Sequence, residues 1–111
     1  MARLQMKFTV PESVAKLSNI KTVTIREISA GERQDLLAKY MDKLGEFSLA
    51  LTFSAIYAIN DKPVDRIEAQ AAYESASAKV QDLISSAYHA VNLPTEKEKA
   101  DFLDSAEAII G

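Results

Sequence analysis

The sequence predicts an α+β fold, mainly α, in which an N-terminal two-stranded β ribbon precedes a four-helix body. Three observations carry that prediction. Apolar residues repeat at a period of two over residues 4–10 and again over 22–25, they repeat at helical spacing from residue 36 onward, and a helix-capping signature at Ser29 marks the change of period. A chain of 111 residues can bury one core but not two, so 1–111 is read as a single domain. Residues 1–28 form the ribbon with a short helical turn, and 29–111 form the helical body.

Leu4, Met6, Phe8 and Val10 alternate with Arg3, Gln5, Lys7 and Thr9, which places the apolar set on one face of a strand. Pro11 suits the start of a short helical turn through Val14 and Leu17, where its missing N–H costs nothing. Thr22-Val23-Thr24-Ile25 is β-branched throughout and reads as the second strand. Two strands alone are marginal in water, so the ribbon is expected to lie on the helices or to pair with a strand of a neighbouring chain.

Ser29 with Glu32 is a capping box, and Leu36, Leu37, Tyr40, Met41 and Leu44 then follow a helical stripe that Gly45 is expected to stop. In the next stretch, Phe47 to Ile59, ten of thirteen residues are apolar, which predicts a second helix with no polar face. A domain of this size has little interior in which to hide such a helix, so part of it is expected to face another chain. Asn60-Asp61-Lys62-Pro63 is a turn by composition. Asp65 with Glu68 caps a third helix running from Ile67 to about Val91, whose seam is Tyr73, Ala76, Val80, Leu83, Ala87 and Ala90, with Ile84 and Val91 alongside. Thr95 with Glu98 caps the last helix, with Ala100, Leu103, Ala106 and Ile110 on one side and Phe102 and Ile109 at its flank.

Composition narrows the function. With 48% hydrophobic and 26% charged residues the chain is composed like a folded domain. The net charge of −3 gives no counterion-release drive toward nucleic acid. The charge is uneven: residues 1–30 carry five cations against two carboxylates, while residues 31–111 carry a net −6. Such asymmetry can orient like copies head to tail. Cysteine is absent, which excludes disulfides, thiolate nucleophiles and Cys-ligated metal centres. The first ten residues lack the apolar core of a signal peptide, and no uncharged stretch approaches the ~20 residues of a spanning helix, so neither secretion nor membrane insertion is expected.

No catalytic, metal or cofactor-binding residues are assigned. His89 is the only histidine and has no carboxylate within a turn, and no serine lies in a G-x-S-x-G turn. Three glycines cannot build a phosphate-cradling loop. Asp101, Asp104 and Glu107 read as a solvated face rather than a cation site. The aromatic residues sit singly on apolar stripes, without the interleaved cations of a base-stacking platform. By elimination the chemistry points to binding through surfaces, with Phe47, Leu51, Phe53, Ile56, Tyr73, Val80 and Leu83 as the candidate oligomer or client interface.

The strand-to-helix junction Val23-Thr24-Ile25-Arg26-Glu27-Ile28-Ser29-Ala30-Gly31-Glu32-Arg33, the apolar segment closing in Tyr57-Ala58-Ile59-Asn60-Asp61-Lys62-Pro63, and the helix closing in Leu83-Ile84-Ser85-Ser86-Ala87-Tyr88-His89-Ala90-Val91-Asn92 resemble the tail assembly chaperones of long-tailed, siphophage-type bacteriophages. The likeness covers roughly residues 20 to 100. It implies a non-enzymatic, homo-oligomerising helical protein of the host cytoplasm that binds the tape measure protein, keeps it soluble and helps recruit tail tube protein. No cofactor, nucleic acid or membrane is implied. In that family a frameshifted longer product often adds a C-terminal domain, and an end at Gly111 resembles the short form. The competing expectation is a small α+β protein–protein adaptor or regulator unrelated to tails.

Overall fold

The structure, a computed structural model, describes residues 3–16 and 18–109. It is α+β and mainly helical, at 57% helix, with a four-stranded antiparallel sheet. Leu17 and Ile110, assigned above to the faces of the first and last helices, lie outside the described residues.

The alternating segments form β1 (Gln5–Thr9) and β2 (Thr22–Arg26), joined through the short helix α1 (Glu12–Ala15) that Pro11 initiates. They pair antiparallel with Met6 opposite Ile25 and Phe8 opposite Val23. Residues opposite one another share a face, so the apolar alternation of both strands converges on one side of the sheet.

The ribbon is half of the sheet. The apolar run from Phe47 divides at residue 55: Leu44–Ala55 is helix α3, and Ile56–Ile59 is a third strand, β3, which pairs with β2. The expected single helix through Ile59 is thus corrected. Ile56, Tyr57 and Ile59 are strand formers, and Asn60 and Asp61 both take positive φ, 53° and 67°. That is the two-residue turn whose twist matches a tight hairpin. The chain reverses there into β4 (Lys62–Pro63), in the sheet order β1-β2-β3-β4. Lys62 and Pro63 make β4 a short edge, poorly suited to pairing with another chain.

The helical body holds five helices where four were expected. Helix α2 (Ala30–Lys39) begins at the Ser29–Glu32 capping box and ends at Tyr40. Gly45 lies inside the first turn of α3 and stops nothing, because a glycine ends a helix by adopting positive φ and none of the described glycines does so. The long third helix is two: α4 (Arg66–Ser75), with the Asp65–Glu68 box in place, and α5 (Ala78–Asn92). Ala76 is extended (φ −78°, ψ 160°) and the Ser77 hydroxyl accepts from the Val80 N–H, so Ser77 starts a new helix within the stripe. Helix α6 (Glu96–Asp104) follows the Thr95–Glu98 box.

One core joins these layers. Helix α5 packs on β2 and β1, α3 packs against α2, α4 and α5, and the buried cluster contains Ile25, Leu51, Ile56, Ala69, Val80, Ile84 and Tyr88. Two asparagines tie the layers together. Asn60 accepts from the Lys21 and Thr22 N–H groups (2.7 and 3.2 Å) and donates to the Asn19 carbonyl (2.8 Å), clamping the β3 turn to the approach to β2. Asn92 does the same between the end of α5 and the β2–α2 junction.

Ser29→Ala is expected to lower stability by about 0.5–2 kcal/mol, because the hydroxyl holds the Glu32 N–H at 3.1 Å and the Glu32 carboxylate answers to the Ser29 N–H. The midpoint of urea unfolding measures it; an unchanged midpoint would show that α2 needs no cap.

Candidate interaction surface

The seven candidate interface residues separate by environment. Leu51, Phe53, Ile56 and Val80 are buried in the chain's own core, Val80 completely, while Phe47 and Tyr73 are half-buried against it. Phe53 and Tyr73 meet edge to face, with ring centroids 5.2 Å apart, and burial, reinforced by the nearby Asp82 carboxylate, pushes the Tyr73 hydroxyl up from its ordinary range. Leu83 is the most open of the seven at 38% exposure. The reason lies in the topology: residues 56–59 leave helical geometry to become sheet, and that sheet, with α4 and α5, covers the apolar helix that preceded it.

The core face of α5 shares Val80 and Ala87 with the seam that the spacing predicts and departs from it at Leu83 and Ala90. Val80, Ile84, Ala87 and Tyr88 point inward, while Leu83 and Ala90 stand toward solvent. Between α5 and the strand ribbon lies an open groove of about 290 Å³, formed by Phe8, Val10 and Val23 on one wall and Leu83, Ile84 and Ala87 on the other. Its lining is almost wholly aliphatic and aromatic, the kind of concave surface that receives apolar side chains.

A second cleft, about 630 Å³, is polar and lies where Arg3 and Arg26 meet Glu32, Asp35, Tyr57 and Arg66. Burial alone would raise the Glu32 carboxyl, but the Ser29 hydrogen bonds and the Arg26 and Arg3 guanidiniums outweigh it and hold Glu32 below its ordinary range. Arg3 and Arg26 both pair with Glu32, and Arg66 donates to the Tyr40 hydroxyl. The two pairs with Glu32 brace α2 against the sheet, and the Arg66–Tyr40 contact ties α4 to the end of α2.

Sequence reasoning did not single out α6 as a surface feature. Every residue of Glu96–Asp104 is exposed, with Phe102 at 76% and Leu103 at 68%. The molecule is correspondingly long, 60 × 32 × 28 Å. The expected apolar side of Ala100, Leu103 and Ala106, with Phe102 and Ile109 at its flank, is corrected: the helix ends at Asp104, Ala106 and Ile109 lie beyond it, and all five residues are exposed, because two large apolar residues among charges do not define a core-facing stripe. His89 is exposed on α5, with its ring edge-on to Tyr88. Among the described residues no three His, Asp or Glu side chains converge in a way that could hold a metal ion, and no helix is long and apolar enough to cross a membrane. No protein-family model matches the chain, and neither the curated proteins nor the solved structures contain a match.

Proposed function

We propose that the chain is a tail assembly chaperone of a long-tailed bacteriophage. In this reading it acts in the host cytoplasm, associates with itself, binds the tape measure protein so that this long helical client stays soluble, and helps recruit tail tube protein. It is not an enzyme, and it uses no cofactor, nucleic acid or membrane.

The observation that supports this reading best is the apolar surface the fold leaves open: the β-ribbon–α5 groove with Leu83 at its rim, and the exposed Phe102 and Leu103 of α6. A helical client presents apolar side chains at i, i+3 and i+4, and many copies of a small binder, each with such a groove, can cover successive stretches of it. The ribbon-to-helix junction at residues 23–33, whose capping box is formed, is one of the three segments that carry the family resemblance.

Co-expression tests the proposal. The tape measure protein of the same genome is expected to be insoluble alone and soluble with this chain. Their binding is expected to show a negative heat-capacity change and mild salt dependence, because apolar burial drives it. A tape measure that aggregates beside abundant, folded chain overturns the proposal in favour of the unrelated adaptor.

A further inference from the structure

We infer that two copies of the chain join through β1, antiparallel and two-fold symmetric about Met6, so that their sheets continue into one. The inference deepens the self-association in the reading above and rests on it.

The two edges of the sheet are unlike. Strand β4 is two residues long and carries Pro63, which has no N–H to give. Strand β1 is five residues long without proline or glycine, and in the order β1-β2-β3-β4 it has a neighbour on one side only. At its two ends the Val10 N–H donates to the Lys21 carbonyl (2.8 Å) and the Leu4 carbonyl accepts from the Glu27 N–H (3.0 Å). Backbone groups alternate along a strand, so the even-numbered residues turn toward β2. Gln5, Lys7 and Thr9 therefore turn their N–H and C=O groups outward, a template for a further strand.

Proteins guard such an edge with charged side chains that stand over it. Here both cations are drawn back across their own chain. Lys7 pairs with Asp61 (2.7 Å) in the β3–β4 turn, at the far side of the sheet, and Arg3 pairs with Glu32 on α2. Leu4 and Met6 share a face with Phe8 by alternation, yet Phe8 packs on the core while Leu4 is 50% and Met6 42% exposed. The apolar face of the strand thus runs out past its own helix layer.

The strand's own sequence selects the occupant. Outward residues bond only to outward residues, so a symmetric antiparallel pair of β1 strands is centred on a residue. Centred on Gln5 it sets Arg3 opposite Lys7, and centred on Lys7 it sets Lys7 opposite itself; like charges directly opposite are destabilising. Centred on Phe8 it brings Pro11, without an N–H, opposite Gln5. Centres nearer either end shorten the ladder. Centred on Met6 the pair has none of these faults: Gln5 and Lys7 exchange both backbone bonds, Arg3 meets Thr9, Leu4 meets Phe8, and the two Met6 side chains meet each other. Leu4, Met6 and Phe8 of both copies then form one apolar band on the side of the sheet that carries α5. The contact is isologous, the same edge on both copies, and it closes at two.

The absence of cysteine makes cross-linking unambiguous. In the Met6-centred register the two residues 6 form a non-hydrogen-bonded pair with Cα atoms about 4.5 Å apart, within reach of a disulfide, whereas the two residues 4 lie about 13 Å apart along the strands. On oxidation, Met6→Cys is expected to form a disulfide-linked dimer about tenfold faster than Leu4→Cys. In the unaltered chain the outward amides of Gln5 and Lys7 are expected to resist hydrogen exchange as the inward amides of Met6 and Phe8 do. Lys7→Pro removes an outward N–H that β2 does not use, and it is expected to halve the mass read by light scattering while the circular-dichroism spectrum stays that of the unaltered chain. Cross-linking and exchange decide the matter without that variant. Met6→Cys cross-linking no faster than Leu4→Cys, or free exchange at Gln5 and Lys7, overturns the inference, and if the unaltered chain is still a multimer the self-association reading survives it. A monomer at every concentration overturns both. Outward amides that become protected only when the tape measure protein is added assign the edge to the client and also overturn the inference.

Discussion

Phe53→Ala is expected to lower the free energy of unfolding by about 3–5 kcal/mol, a large part of the 5–15 kcal/mol typical of a domain. The side chain is 5% exposed, stands on α3, a helix that packs against α2, α4 and α5, and supports the Tyr73 ring edge-on. Truncation removes the buried ring, leaves a cavity in a helix layer pinned by neighbours on several sides, and deprives Tyr73 of its aromatic contact. Urea unfolding monitored by circular dichroism measures the loss. A change below about 1 kcal/mol would mean that α3 and α4 close over the gap and that the layer is not tightly packed. Leu83→Ala provides the contrast: its side chain borders the open groove, so the substitution is expected to weaken association more than folding.

Asn92→Ala is expected to cost about 1–3 kcal/mol, because it leaves backbone groups on another element without partners. The Asn92 carboxamide oxygen accepts from the Ile28 N–H at 2.7 Å, and its nitrogen donates to the carbonyls of Arg26 (3.1 Å) and Tyr88 (3.3 Å). One side chain at the end of α5 thereby completes the ladder where β2 gives way to α2. Denaturant unfolding reads the cost, and amide exchange reads its location. The Ile28 amide is expected to lose protection in the variant, while amides at the centre of β2 lose only what the global change dictates. Uniform loss across the sheet would show that Asn92 serves α5 alone.

How far the sequence reveals this molecule depends on whether local pattern and tertiary context agree. In β1 and β2 the period of two is unambiguous and both strands form where it runs. The boxes at Ser29, Asp65 and Thr95 are local chemistry and are formed. Ile56–Ile59 is different: four apolar residues continuous with an apolar helix have no periodicity of their own, and what makes them a strand is the positive-φ pair Asn60-Asp61 together with the waiting edge of β2. The Ser75-Ala76-Ser77 break is equally silent, since alanine suits a helix interior and serine both a helix and its cap. On α5 the core face keeps Val80 and Ala87 of the expected seam and is completed by Ile84 and Tyr88 in place of Leu83 and Ala90. Most of the candidate surface residues are interior, and Leu83, at the groove, remains on the outside. The apolar side expected for the last helix is not a core face: Phe102 and Leu103 are its two large apolar residues, the helix ends at Asp104, and both are exposed.

Helix α3 passes into β3 without an intervening loop, Ala55 being the last helical residue and Ile56 the first of the strand. Chain length is consequently an inherited constant through this stretch. A single residue inserted or deleted between 44 and 59 would either rotate α3 by about 100° against its neighbours or exchange the two faces of a central strand, and the Asn60 clamp fixes the far end against slippage. Divergent descendants of this sequence should accordingly vary in side-chain identity here while keeping the spacing, and place their insertions at residues 41–43 or 93–95, where a change of length disturbs neither a ladder nor a packed helix face.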